Sequence, residues 1–461
     1  MGERPMNKGR FSIWNAAAAV VVLALGMLLQ SPLRAQEAAP DPDIVTPSAD
    51  PTWLGTVRSL TLDERVAAAI EALRAHDAET TNFQIQLAEI PAPDFRGGQR
   101  ASLMLQTFRG LGLENVRQDA VGNVLAVLPG ADPKLPAVIL AAHLDTVFPE
   151  VGTISVTRQG TILRAPGIAD DAAGLAALVA IGRALREAQI PLRRDIVFVA
   201  TVGEEGEGDL RGVKHLFAAG FAPNRVAAFM TLDLGSQVQI VNEGVGSRRL
   251  HVTVRGPGGH SWGDFGRPNP IHALARTIDA FVEMPLPAGR RSSYNVGVIE
   301  GGTGVNVIPE SASLRVDLRS EAPEALEALE SAFRAAFEHG LERERAWSHG
   351  GVLQSDVQVI GDRPVGRTAP DAPVTQAALA AFATMGLGAA LTTSSTDANL
   401  PMSLGVQALA LPHGVQGHEA HSRAEWCDTQ GRSTVLTAEL LTALALAEIE
   451  GPRRLRRATT D

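Results

Sequence analysis

The chain has 461 residues, 45% of them hydrophobic, and a formal charge of −10. That length accommodates two domains with sizeable cores, and the acidic balance excludes the broad basic footprint of a nucleic-acid-binding chain. The single cysteine, Cys427, excludes internal disulfides and cysteine-based zinc clusters, so any metal must be held by His, Asp and Glu.

Arg4, Lys8 and Arg10 precede the apolar run "AAAAVVVLALGMLL" at 16–29. The run is short for a membrane span and suits the core of a secretory signal peptide, with an uncleaved membrane anchor as the alternative. Residues 1–35 are therefore expected to direct the chain to the periplasm or the exterior. Residues 36–60, rich in Ala, Pro and Asp, read as a linker. Residues 451–461 form a basic tail.

From residue 61 the pattern becomes regular. "DERVAAAIEALRAH" has helical spacing, whereas "GNVLAVLPG" and "AVILAAHLDT" are short apolar runs that suit buried strands. "GLAALVAIGRALREA" reads as a helix, and "RRDIVFVATVGEEG" and "RVAAFMTLDLG" as strands ending in acids. This alternation predicts an α/β fold, a sheet flanked by helices, over 61–246. Between 247 and 360 the order changes to strand "RRLHVTVRG", helix "PIHALARTIDAFVEM", strands "SSYNVGVIEGG" and "ASLRVDLRS", a long amphipathic helix and strand "SDVQVIG". That βαββαβ order predicts a small ferredoxin-like domain. The earlier style returns over 361–450, so the small domain is read as an insertion in the larger one.

Several acids and histidines directly follow apolar strands, at the edge where open α/β sheets bind ligands. They are His143 and Asp145, the pair Asp170-Asp171, the pair Glu204-Glu205, and Asp233; His418 and His421 follow the run "VQALALP" after a loop. Each alone has an ordinary explanation as a turn or surface charge. Together, so many carboxylates at one edge repel one another unless cations neutralise them, and two zinc ions with His and carboxylate ligands would do so. "GHSWG" also matches G-x-S-x-G, but two prolines separate Ser261 from the next helix, whereas a nucleophile elbow leads straight into one.

The ordered set H-x-D, G-x-x-D-D, E-E, D and H-x-x-x-E, with "GPGGHS", "GTGVNVIP" and "VDLRS" in the insertion, resembles the co-catalytic dizinc metallopeptidases of the peptidase T, carboxypeptidase G, dipeptidase and aminoacylase family. The resemblance spans roughly residues 80–450 and implies a zinc-peptidase catalytic domain with a mixed sheet and an inserted lid and dimerisation domain. It implies that His143 and Asp233 hold one zinc, that Glu205 and His421 hold the other, and that Asp170 bridges both; cobalt or manganese could replace zinc. It further implies that Asp145 fixes the His143 ring, that Glu204 is the general base towards a metal-activated water, and that His260 stabilises the oxyanion. Asn306 and Arg319 match positions that hold the substrate backbone or carboxylate. His418 is expected to be a neighbour lining the pocket, and the Asp170–Asp171 peptide bond to be cis. In that family the ligand matching Asp233 is Asp in the aminopeptidase and dipeptidase branches and usually Glu in the carboxypeptidase and deacylase branches. The expected enzyme is thus an aminopeptidase or di/tripeptidase acting on short peptides as a homodimer. A carboxypeptidase or N-acyl-amino-acid amidohydrolase is the alternative, and a non-catalytic binding protein the reading from another class.

Overall fold

A computed structural model describes residues 47–96, 98–149 and 152–451, all within one compact unit, Val45–Asp461. The expected signal peptide, the first part of the expected linker and nearly all of the basic tail lie outside the described residues. The linker expectation fails over its second part, because Pro51–Leu60 is a helix. Asp50 caps it by accepting from the Thr52 N–H, and Pro51 fills the first helical turn, where no N–H is needed. The Asp and Pro that suggested a linker are therefore a helix start, with Val57 and Leu60 as its buried face.

The larger sheet runs, in spatial order, Glu114–Gln118, Val124–Leu128, Ile196–Thr201, Ala137–His143, Val226–Leu234, Ala408–Pro412, Gln239–Gly244 and Gly366–Arg367, with Ala390–Ser394 also paired to Gln239–Gly244. It is mixed. Ile196–Thr201, Ala137–His143, Val226–Leu234 and Ala408–Pro412 are adjacent and parallel, so their C-terminal ends share one edge. Ala137–His143 is buried throughout, as a central strand covered on both faces must be. Val138, Leu140 and Ala142 enter one core, Ala137, Ile139 and Ala141 the other, which is the period of two expected of a strand. Helix Ala172–Glu187 packs against the first face together with Glu64–Ala75 and Asp77–Ala88.

The chain leaves this sheet after Gly244 and returns at Gly366–Arg367, which pairs with the strand it left, Gly366 opposite Gly244. Between these points lies a four-stranded antiparallel sheet in the order Ser292–Gly301, Ser311–Ser320, Gly246–Arg255, Gln354–Arg363. Helices Pro270–Val282 and Pro323–Trp347 cover one face, over a core that includes Leu250, Val252, Leu314, Val316, Phe333 and Phe337. This is the ferredoxin-like arrangement. Its helix-free face carries alternate residues, among them Arg249 opposite Asp317, and Arg319 and Arg363 both opposite Ser247.

A third sheet of short strands, Thr157–Gln159, Ile162–Arg164, Trp426–Asp428 and Gln416–His418, has no counterpart in the sequence reading. The loop between its last two strands in the chain carries His421.

Candidate metal centre and active site

Strand ends deliver most of the chemistry. His143 closes Ala137–His143, Asp233 lies in the last two residues of Val226–Leu234, and Glu204 and Glu205 occupy the turn after Ile196–Thr201. Asp170 precedes the N-cap of helix Ala172–Glu187, and His421 comes from the loop. His143 Nε2 lies 2.9 Å from Asp170 Oδ1 and 3.4 Å from Asp233 Oδ1. His421 Nε2 lies 3.0 Å from both Asp170 Oδ2 and Glu205 Oε1. Asp170 thus stands between two half-sites, each completed by one histidine and one further carboxylate.

The charge balance fits cations at this place. Burial pushes the Glu205 carboxyl up to about 8 and that of Asp233 up to about 6. Burial also opposes the charge on Asp170, yet hydrogen bonds with His143 and His421 hold it below the ordinary carboxylate range. The Asp170 and Glu205 contacts raise His421 to about 10. Among the described residues, buried Asp170 Oδ1 has only His143 Nε2 near it, in poor hydrogen-bond alignment, an acceptor that a cation would satisfy. The nitrogen and oxygen donors suit zinc, and equally cobalt or manganese.

Asp171 also lies near His143 and Asp233, but its oxygens are committed elsewhere. Oδ2 accepts the His143 N–H at 2.9 Å and Oδ1 accepts the Gly174 N–H at 2.9 Å. The Asp170–Asp171 peptide is cis.

Asp145 acts differently from expectation. The His143 ring is held through Nδ1 by the backbone carbonyl of Asp145, at 3.0 Å, which leaves Nε2 for a metal. The Asp145 carboxylate instead accepts three consecutive N–H groups, from Gly203 at 2.7 Å, Glu204 at 3.2 Å and Glu205 at 2.8 Å. It shapes the turn carrying the two glutamates. Gly203 takes a φ of +68° there, and a Cβ would sit 2.6 Å from the Arg211 side chain, so the turn requires glycine.

Two buried residues complete the support. Glu425, the acid of H-x-x-x-E, accepts N–H groups from Gly167, Ala169 and Asp170 at 2.6, 2.9 and 3.0 Å, fixing the turn that presents Asp170. Arg363 donates to Glu204 Oε1 at 2.9 Å and to the Glu204 carbonyl oxygen. No motif in the sequence marks Arg363; its nearest local signal is a place at the end of a strand, just before Pro364.

A cavity of about 350 Å³ opens over the cluster. Asp170, Glu204, Glu205, Asp233 and His421 line it from the larger sheet's side, and Arg249, Arg319 and Arg363 from the ferredoxin-like sheet. Arg319 also borders an adjoining cavity with Arg291 and Ser293. His260 and Asn306 are absent from these walls. His260 pairs with Val307 in a two-stranded ribbon, its Nδ1 accepting from the Trp262 N–H at 3.1 Å, and the Ser261 N–H donates to the Asn306 carbonyl at 3.0 Å. His418 is not in the wall either; its ring stacks on Trp426 at 3.9 Å.

The sequence model of peptidase family M20/M25/M40 matches residues 139–447. The Bacillus subtilis protein YqjE is 26% identical over 377 residues, covering 78% of this chain and 95% of that protein. A probable carboxypeptidase from Ajellomyces capsulatus is 31% identical over 212 residues, covering 41% of this chain and 47% of its own length. The crystal structure of aminopeptidase PepT from Bacillus cereus superposes with a TM-score of 0.64 at 24% identity, over 81% of this chain and 99% of that one.

Proposed function

We propose, from the premise that this chain belongs to peptidase family M20/M25/M40 and is a metal-dependent hydrolase of peptide bonds, that it cleaves di- and tripeptides with free termini. The observation that carries this reading is the double half-site around Asp170, facing a cavity whose opposite wall holds three arginines. His143, Asp170 and Asp233 would hold one divalent cation and Asp170, Glu205 and His421 the other; when bound, the pair supplies carbonyl polarisation and an acidified water. Glu204, beside Glu205 in the same turn, takes the water's proton and passes it to the departing amine. Arg319 pairs with the peptide's terminal carboxylate, for which its planar fork is suited. Asp233, rather than the longer Glu, supports the aminopeptidase and dipeptidase side of the family.

A second reading has an observation of its own. The arginines recognise a carboxylate whatever lies on the amino side, which also suits a carboxypeptidase or an N-acyl-amino-acid amidohydrolase. Measuring kcat/KM for one tripeptide and its N-acetyl form separates the two. The free peptide is expected to be the better substrate by about tenfold or more, which is 1.4 kcal/mol of differential transition-state binding. Equal or faster cleavage of the acetylated form replaces the aminopeptidase reading with the second one.

We further propose that His260 and Asn306, remote from the cavity in their own chain, act in a homodimer on the partner's site. Mixing His260→Ala chains with Glu204→Gln chains should then restore part of the lost activity. Verified heterodimers without recovery contradict that arrangement.

A further inference from the structure

We infer that Arg363 is a substrate-released restraint on the general base: at rest it holds Glu204, and a terminal carboxylate of the substrate draws it away. The inference rests on the peptidase reading above and adds to it a coupling between recognition of the free C-terminus and freedom of the base.

The resting contacts are specific. Arg363 ends strand Gln354–Arg363 and donates through Nη1 to Glu204 Oε1 at 2.9 Å and to Ser395 Oγ at 3.2 Å. Its Nη2 donates to the Glu204 carbonyl oxygen. The side chains of the pair are 5% and 6% exposed, so water does not loosen the contact as it does at a surface. One Glu204 oxygen is therefore committed to a guanidinium in the state the structure shows.

The guanidinium is also incompletely satisfied. Arg363 Nε is buried without a hydrogen-bond partner among the described residues, although a buried donor in a protein normally has one. Three guanidinium groups share this wall, while Asp317 lies 3.5 Å from Arg249 and 2.7 Å from Arg319. Burial lowers the Arg249 pKa, and the Arg363 and Arg319 charges lower it further, the signature of crowded positive charge. An incoming carboxylate relieves that crowding and offers Arg363 a two-pronged acceptor in exchange for Glu204. Arg319 lacks this exchange: it is 42% exposed at the rim and already holds Asp317. Arg363 alone of the three holds an acid that the reaction needs.

The test compares a tripeptide with its C-terminal carboxamide on metal-loaded full-length wild type, Arg363→Gln, Arg363→Lys and Arg319→Gln. Wild type is expected to turn over the carboxamide with a kcat about tenfold or more below that of the acid. In Arg363→Gln the KM for the acid rises, and the kcat for the carboxamide rises several-fold above wild type, because the base is no longer held. Arg319→Gln raises KM for the acid and gives no rise in the carboxamide kcat. A fall in kcat for both substrates by the same factor in Arg363→Gln makes Arg363 a fixed support of Glu204 and overturns the proposal. If Arg363→Gln fails to fold, Arg363→Lys decides: its single ammonium should narrow the acid-to-carboxamide ratio, and an unchanged ratio overturns the proposal. Binding of a non-hydrolysable tripeptide analogue and its carboxamide keeps the two readings apart. Failure to cleave any peptide, with the acid analogue still preferred and that preference lost in Arg363→Gln, sinks the peptidase reading and supports carboxylate recognition by Arg363; an unchanged preference in Arg363→Gln overturns the proposal.

Discussion

Glu204→Gln enzyme is expected to keep its metal and lose turnover by roughly a hundredfold or more, the usual scale for a positioned general base. The substitution preserves size and shape, and the amide oxygen can still accept from Arg363, which holds the native carboxylate at 2.9 Å. The turn should survive as well, because Asp145 fixes it through backbone N–H groups. Metal analysis and single-substrate kinetics on the same preparation read the two effects separately. Near-normal turnover would remove Glu204 from the role of base. Lost metal together with lost turnover would instead place Glu204 among the ligands, a role its pairing with Arg363 does not suggest.

His421→Ala should act on the metal itself. Removing a group that only orients a ligand commonly costs ten- to a hundredfold in metal affinity or activity, so removing the donor should exceed about a hundredfold. His421 contacts both Asp170 and Glu205, so its loss strips one half-site to carboxylates that repel each other. Metal content should fall from about two ions per chain to about one or fewer, the number a co-catalytic site requires being two, and chelation of the wild type should abolish activity. Full occupancy in the alanine variant would exclude His421 from the set. Its backbone adds a second reason to expect sensitivity. With φ at +64°, His421 sits in the left-handed region, where a residue with a Cβ is held only if its surroundings fix it.

Much of this protein was determined by local sequence alone. Apolar runs closed by polar residues marked the buried strands, and chemistry-bearing residues placed just after them had to meet at one edge once those strands were parallel, as His143, Glu204, Glu205 and Asp233 do. The βαββαβ order of the inserted segment was equally legible, because period-two and period-3.6 patterns alternate there without ambiguity. Asp50 and Pro51 mark a helix start as readily as a linker, and the difference lies in whether Val57 and Leu60 find a surface to bury against. Other features belong to the tertiary structure only. The family resemblance implies that Asp145 fixes the His143 ring, but it does not say whether carbonyl or carboxylate makes the contact; the carboxylate meets a turn some sixty positions away. The separation of His260 and Asn306 from the cavity is likewise a matter of how the inserted unit pairs its own ribbon. Arg363 is the clearest case. The register of strand Gln354–Arg363 against Gly246–Arg255 shifts between Val359 and Gly361. With an unbroken ladder, Asp362 would stand opposite Ser247 and face the cavity. The extra residue puts Arg363 there instead, against Glu204, because slipping a strand by one residue exchanges its two faces. Strand periodicity in the sequence carries no mark of that shift; only the pairing of two strands far apart in the chain decides which sign of charge meets the base.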